Sequence, residues 1–250
     1  MHHVVGVFSG KGGVGKTVTA INLASAIHGF GKEVTLIDAD ISSANLTIHL
    51  GLPDAIVSLQ DVLDKKSNLY KAIRVIPRGL RIVPSSLSLD KCTSDLSRLK
   101  HVIKDEMAGL VIIDAPPGFS KDTYSIMEAC DDILVVTNPD VPSITDALKV
   151  IQIAKRMKKT LLGIVLNRVE NTLAEIGARD IEILCEAPII GVIPEDRAVK
   201  LSIFEKTPLV YNTPYSKAAV AYRKLAAKLI GVTYTPPSMI GLRRLFGLLP

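Results

Sequence analysis

Eight consecutive residues, Gly10-Lys11-Gly12-Gly13-Val14-Gly15-Lys16-Thr17, carry the densest chemistry in this chain. They match G-x-x-x-x-G-K-[ST], a loop whose glycines let successive backbone N–H groups converge on phosphate oxygens. In that pattern Lys16 reaches the β- and γ-phosphates and the Thr17 hydroxyl reaches Mg²⁺. Val18 follows with a backbone N–H but no hydroxyl. The loop works only between a strand and a helix N-terminus, where the helix dipole favours an anion. Both flanks are present. Val4-Val5-Gly6-Val7-Phe8 is an apolar run, and residues 19–27 carry apolar side chains at three- and four-residue spacing.

A second group of polar residues sits after two further apolar runs. Residues 33–37 run into Asp38-Ala39-Asp40, with Asn45 shortly beyond, and residues 110–113 run into Asp114-Ala115-Pro116-Pro117-Gly118. A carboxylate at the end of a strand beside a phosphate loop suits Mg²⁺, which takes carboxylates, often through water. The plainer account is that these residues cap the turns or helices that follow. Beside this loop a functional role is preferred over capping for Asp40 and Asp114, while both accounts stay open for Asn45. Pro117 removes one N–H donor from the second segment.

Positioning these groups requires an alternation of strands and helices. Runs at 80–83, 133–136, 161–166 and 189–193 read as further strands. Helical stretches read at 59–63, 96–107, 123–129 and 143–157. Near-continuous apolar strands separated by helices predict an α/β fold: a three-layer, doubly wound, mainly parallel sheet with helices on both faces, as in P-loop NTPases. Ligands of such sheets sit at the C-terminal ends of the strands, where the polar clusters fall. One domain is expected over 1–232, a proline-containing linker over 233–237 and an amphipathic helix over 238–250.

The 250 residues include no tryptophan, so valine, isoleucine and leucine must build the core. Cys92, Cys130 and Cys185 are isolated, with no pairing pattern or zinc spacing, which suits a reducing cytosol. The N-terminus enters a strand at once, leaving no room for a signal peptide, and no apolar run approaches the roughly 18 residues of a membrane span. The net charge of +5 permits an anionic partner without naming one.

Lys11 makes the loop unusual. With it the segment reads K-G-G-x-G-K-[ST] and resembles the deviant Walker A motif of the MinD/ParA family of ATPases. The resemblance implies ATP and Mg²⁺ as cofactors, with Gly10 to Val18 forming the phosphate cradle. It also implies a homodimer in which Lys11 crosses to the ATP of the partner subunit, acting much as an arginine finger does. By the same resemblance Asp38 and Asp40 belong to a first switch segment and Asp114 to a second. Asp40 would orient the attacking water; Asp38, Asp114 and Thr17 would support the metal. Lys11, Lys16 and Asp40 are thus the implied catalytic groups, with Asn45 near water or phosphate. Val18 departs from the second threonine usual in the family. Asn167-Arg168 and Ile193-Pro194-Glu195-Asp196 resemble the adenine pocket, with Asn167 reading the base edge and Pro194 and Glu195 beside the ring. Turn and N-cap chemistry is the competing account for those short segments.

After Pro236-Pro237 comes Ser238 to Pro250. At ~100° per residue Met239, Leu242, Leu245, Phe246, Leu248 and Leu249 share half a helical wheel, with Arg243 and Arg244 opposite. That suits a helix lying at an anionic membrane surface. The stretch 241–247 is similar to the membrane-targeting tail of the family's MinD branch. This implies a protein on the inner face of the cell membrane that regulates division or places other structures, through an unidentified regulatory or cargo protein. Hydrolysis is expected to be slow and stimulated by a partner or by membrane. A DNA-partition ATPase is the alternative, using Lys149, Lys155, Arg156, Lys158 and Lys159 on phosphates. A solvated helix C-terminus explains those cations more simply. An iron–sulfur carrier scaffold would need paired cysteines that the sequence lacks.

Overall fold

The computed structural model describes residues 2–53, 55–88 and 94–237. Eight strands form one sheet: β1 (His2–Phe8), β2 (Val34–Asp38), β3 (Arg74–Val75), β4 (Arg81–Val83), β5 (Gly109–Asp114), β6 (Asp132–Thr137), β7 (Thr160–Val169) and β8 (Ile189–Pro194). Their spatial order is β3-β4-β2-β5-β1-β6-β7-β8, and every pairing is parallel except β3 with β4. The doubly wound parallel sheet expected from the sequence is therefore present.

Alternation along the strands divides the core in two. Val4 and Phe8 of β1, with Val111 and Ile113 of β5, join one apolar cluster; Val5, Val7 and Ile112 join the other. On the first face pack α5 (Leu99–Glu106), α6 (Lys121–Ala129), α7 (Val141–Arg156) and α8 (Ala178–Cys185). On the second pack α1 (Lys16–Gly29) and α11 (Lys217–Leu229). The central stretches of β1, β2, β5 and β6 are thus covered on both faces, which is why they are almost wholly apolar.

Several details depart from the expectation. Residues 96–107 enter through a 3-10 turn at Leu96–Arg98, with the Asp95 carboxylate accepting from Ser97 N, before α5 begins. The short antiparallel β3 was not foreseen, because two residues carry no periodicity. Nor was α11, capped by Ser216 accepting from Ala219 N; its alanines present little of the apolar signal that marks a helix.

Cys130 and Cys185 are buried free thiols, and burial pushes both upward in pKa. No described helix is long and apolar enough to cross a membrane. The proposed membrane residues Met239, Leu242, Arg243, Arg244, Leu245, Phe246 and Leu249 lie outside the described residues. Three of the five basic residues on and after α7 are engaged locally. Lys149 lies 2.9 Å from Asp146, Lys155 2.9 Å from Glu186, and Lys159 donates to the carbonyls of Glu128 and Cys130. These contacts favour the solvated-helix account over a nucleic-acid face.

Candidate functional site

The loop between β1 and α1 opens into a cleft of about 380 Å³ at the C-terminal edge of the sheet. Gly12, Gly13, Gly15, Lys16, Thr17 and Val18 line its floor. β1 lies between β5 and β6, so the loop leaves the centre of the sheet with strand ends on either side. Two glycines are fixed by their surroundings. Gly15 has φ +92°, and a Cβ there would lie 2.1 Å from Asn167 Nδ2; a Cβ on Gly10 would lie 2.4 Å from the Asp146 carbonyl. Only glycine allows both that backbone and that approach.

Asn167 does more than sit nearby. Its Nδ2 donates to the Val14 carbonyl at 2.7 Å, and Asn138, with its amide nitrogen turned to the loop, donates to the carbonyls of Asn167 and Val14 at 3.3 and 3.2 Å. Two amides from the ends of β6 and β7 therefore clamp the loop from behind. The Asn167 amide nitrogen implied to read a base edge is spent on the loop in this conformation.

The two lysines part company. Lys16 is buried, and its Nζ lies 2.6 Å from Asp114 Oδ1. Lys11 points away from the cleft it belongs to. Its side chain is 43% exposed and its Nζ lies 3.9 Å from Asp140 Oδ1, at the N-cap of α7.

The carboxylates differ as sharply. Asp38 is fully enclosed, its Oδ2 accepting from Ser85 Oγ at 2.7 Å and its Oδ1 from Asp40 N at 3.3 Å. Burial pushes its pKa up to about 7, and the charge of Asp114 adds to the rise against the Ser85 bond and the Lys16 ammonium. Asp40 reaches the cleft wall, where Ser42 Oγ donates to its Oδ1 at 2.9 Å. Asp114 Oδ2 is buried with no protein partner.

These positions test the fit to Mg²⁺. Thr17 lines the cleft and Asp114 keeps a free oxygen, so the donors at hand are oxygens, as a hard cation needs. Among the described residues no three carboxylates, histidines or thiols converge into a protein cage. Mg²⁺ usually keeps waters and takes its other ligands from substrate phosphates, so a partial oxygen set fits it. Asp38 accepts one hydrogen bond on each oxygen from within the protein, which ties it to Ser85 and to the segment around Asp40.

Asn45 lines the cleft, and so does Pro117, whose neighbour Gly118 donates N–H to the Ser9 carbonyl at 3.0 Å. Pro194 and Glu195 lie at the end of β8, where Glu195 N donates to the Val169 carbonyl at 3.0 Å; neither residue lines the cleft. The remaining lining residues are Arg168, from the segment read as resembling the adenine pocket, and Ser9, His49 and Ile203, which the sequence reading assigned no role. A signal existed for His49: it follows Asn45 by four residues in α2 (Asn45–His49), the spacing that puts two side chains on one helix face.

Residues 5–209 match the CobQ/CobB/MinD/ParA nucleotide binding domain. An uncharacterized ATP-binding protein of Methanocaldococcus jannaschii is 42% identical over 233 residues, 92% of this chain and 88% of that protein. The septum site-determining protein MinD of Pyrococcus horikoshii, solved with Mg-ADP, superposes with a TM-score of 0.87 at 32% identity, covering 92% of this chain and 96% of that one. A chain of the MinC:MinD cell division protein complex of Aquifex aeolicus gives a TM-score of 0.83 at 29% identity, covering 94% and 98%.

Proposed function

The chain belongs to the CobQ/CobB/MinD/ParA family of nucleotide-binding domains, within its MinD/ParA group of ATPases, and from that premise we propose that it is a MgATP-driven switch that dimerises on binding ATP and attaches reversibly to membrane. The observation that carries this reading is the opposite aim of its two loop lysines. Lys16 is committed to its own cleft, whereas Lys11 stands outside it with an exposed ammonium. A cation in that position is available to a nucleotide held by another subunit.

Each residue then has a task. Backbone N–H groups from Gly12 to Val18 hold the phosphates, and Lys16 neutralises the terminal ones. Thr17 and the free oxygen of Asp114 would hold Mg²⁺, directly or through water; such an ion would supply positive charge against the charge that develops on the phosphates. Asp40, buried at the cleft wall and braced by Ser42, orients the attacking water. Lys11 of the partner subunit adds a positive charge at the transferred phosphoryl group, so hydrolysis is slow in the monomer. Residues 1–232 form the ATPase unit, 233–237 the linker and 238–250 the membrane helix. One short helix binds lipid weakly; two in an ATP-held dimer gain avidity. Such a protein is placed in the cytoplasm and on the inner face of the cell membrane. It positions the division apparatus or another cellular structure through a partner protein.

Sedimentation with vesicles containing anionic lipid tests this reading. The full chain should pellet with ATP far more than with ADP, and a chain ending at Pro237 should stay in solution with either nucleotide. Absence of lipid binding with both nucleotides, together with salt-sensitive binding to duplex DNA, would replace it with the DNA-partition alternative.

A further inference from the structure

We infer that His49 binds the nucleotide directly, donating a hydrogen bond from its imidazole to a phosphate oxygen on the side of the cleft walled by Val18. The inference rests on the nucleotide reading above and adds a contact made by a side chain outside the loop.

Position supports it first. His49 and Val18 both line the main cleft, and both also line the small recess that adjoins it, beside Ile21, Leu50 and Leu209. The two side chains therefore share one wall. Val18 is the third residue of α1, and the first main-chain bond back into the loop is Thr19 N to the Gly15 carbonyl at 2.9 Å. The Val18 N–H is thus among the free donors of the helix N-terminus. A phosphate oxygen seated there receives that N–H, but the isopropyl group beside it donates nothing. His49 brings a polar donor to this apolar part of the wall.

The state of the ring supports it next. His49 Nδ1 is enclosed and has no hydrogen-bond partner. None of the described residues pairs with Nε2, the ring nitrogen that is not enclosed. An enclosed N–H without an acceptor is costly, so the proton belongs on Nε2, where a ligand can accept it. Burial lowers the pKa of this histidine, with the Asp114 carboxylate opposing the shift, and the contact needs only the neutral ring. Neither ring nitrogen is spent on a described residue, so on the wall of this cleft the Nε2–H is available to a ligand oxygen.

Titration calorimetry with Mg-ADP and with adenosine, on the full chain and on His49→Ile, His49→Gln and Val18→Thr/His49→Ile, tests the inference. His49→Ile should weaken Mg-ADP about tenfold, the worth of one hydrogen bond to a charged group, and leave adenosine unchanged. Val18→Thr should restore most of that loss by supplying a hydroxyl on the same wall. His49→Gln, which keeps an N–H donor, should lose less than His49→Ile. Mg-ADP affinity within twofold of wild type in both single variants overturns the inference, and so does an equal loss for adenosine, which would mean a general disturbance of the cleft. If the wild-type chain itself fails to bind Mg-ADP, the nucleotide reading falls and this inference with it.

Discussion

The ammonium of Lys16 and Oδ1 of Asp114 lie 2.6 Å apart, both buried, joining the phosphate loop to the end of β5. The main chain repeats the connection: Gly118 N, in the turn after β5, donates to the Ser9 carbonyl just before the loop. Without nucleotide, Lys16 thus has a partner inside the protein. An arriving phosphate competes for the same ammonium and leaves Asp114 freer to meet a metal or its water. The ion pair links phosphate binding to the second switch segment through one side chain.

Lys16→Met tests that link. The variant leaves Asp114 and Asp38 enclosed without their cation, and breaking a buried pair typically costs about 3–5 kcal/mol. Urea unfolding at pH 8 should show a loss of that order, shrinking as the pH falls through 7 and Asp38 takes up its proton. Calorimetry should show no binding of Mg-ADP. An unchanged unfolding midpoint at pH 8 would show that the pair contributes nothing to the fold.

Gly15→Ala probes the clamp behind the loop. The added Cβ would lie 2.1 Å from Asn167 Nδ2, at a φ of +92° that alanine adopts only at a cost. The left-handed backbone alone is worth about 1–2 kcal/mol. The Asn167 bond to the Val14 carbonyl must also give way, so loop geometry is lost with it. Thermal melting should show the destabilisation, and Mg-ADP affinity should fall at least about a hundredfold, since the convergence of loop N–H groups carries phosphate binding. Wild-type affinity in this variant would mean the loop does not need the clamp.

The sheet and the loop were legible because their signals are strong and local. Unbroken apolar runs announced parallel strands, and the glycine-lysine pattern named its ligand class. Less legible were features assembled from distant positions. Asn167 is 153 residues from Val14, and no local pattern shows that its amide ends on that carbonyl. Asp38 and Asp40 look alike as D-x-D and both are buried, yet Asp38 ends β2 beside Asp114 while Asp40, past the strand, lines the cleft. His49 went unread because its one signal, the four-residue spacing from Asn45, has meaning only once a helix is known to run there. Its meaning comes from the Val18 wall it shares.

Asp38 sets a pH dependence. Its folded pKa of about 7 lies above the ordinary value of 3.8, so between these values the folded chain holds a proton that the unfolded chain releases. Stability contributed by this group is therefore full at low pH and falls as the pH rises through 7. Asp38→Asn keeps an acceptor for Asp40 N and a polar partner for Ser85 while removing the charge. In the nucleotide-free protein it should raise the melting temperature at pH 8 and change it little at pH 5. A larger gain at pH 5 than at pH 8 would contradict the assignment.

Lys11→Ala separates the two lysines. The Lys11 ammonium stands 3.9 Å from Asp140 with its side chain 43% exposed, and at that distance and exposure the pair adds little to stability. The variant should melt within about 3 °C of wild type, because a surface ion pair of this kind is worth under about 1 kcal/mol. Monomer affinity for Mg-ADP should also stay within about twofold, since Lys11 does not line its own cleft. Two other measurements should change. Light scattering after ATP addition should show wild type shifting to twice its monomer mass while the variant stays monomeric. Phosphate release at high protein concentration should drop by about 10²–10³, the usual worth of one preorganised charge at a reacting centre. Mixing Lys11→Ala with a variant that binds no nucleotide, Lys16→Met, gives the sharpest result. A mixed dimer pairs the intact cleft of the first with the intact Lys11 of the second, so a cation acting across the interface should restore part of the turnover, whereas one acting within its own subunit would restore none.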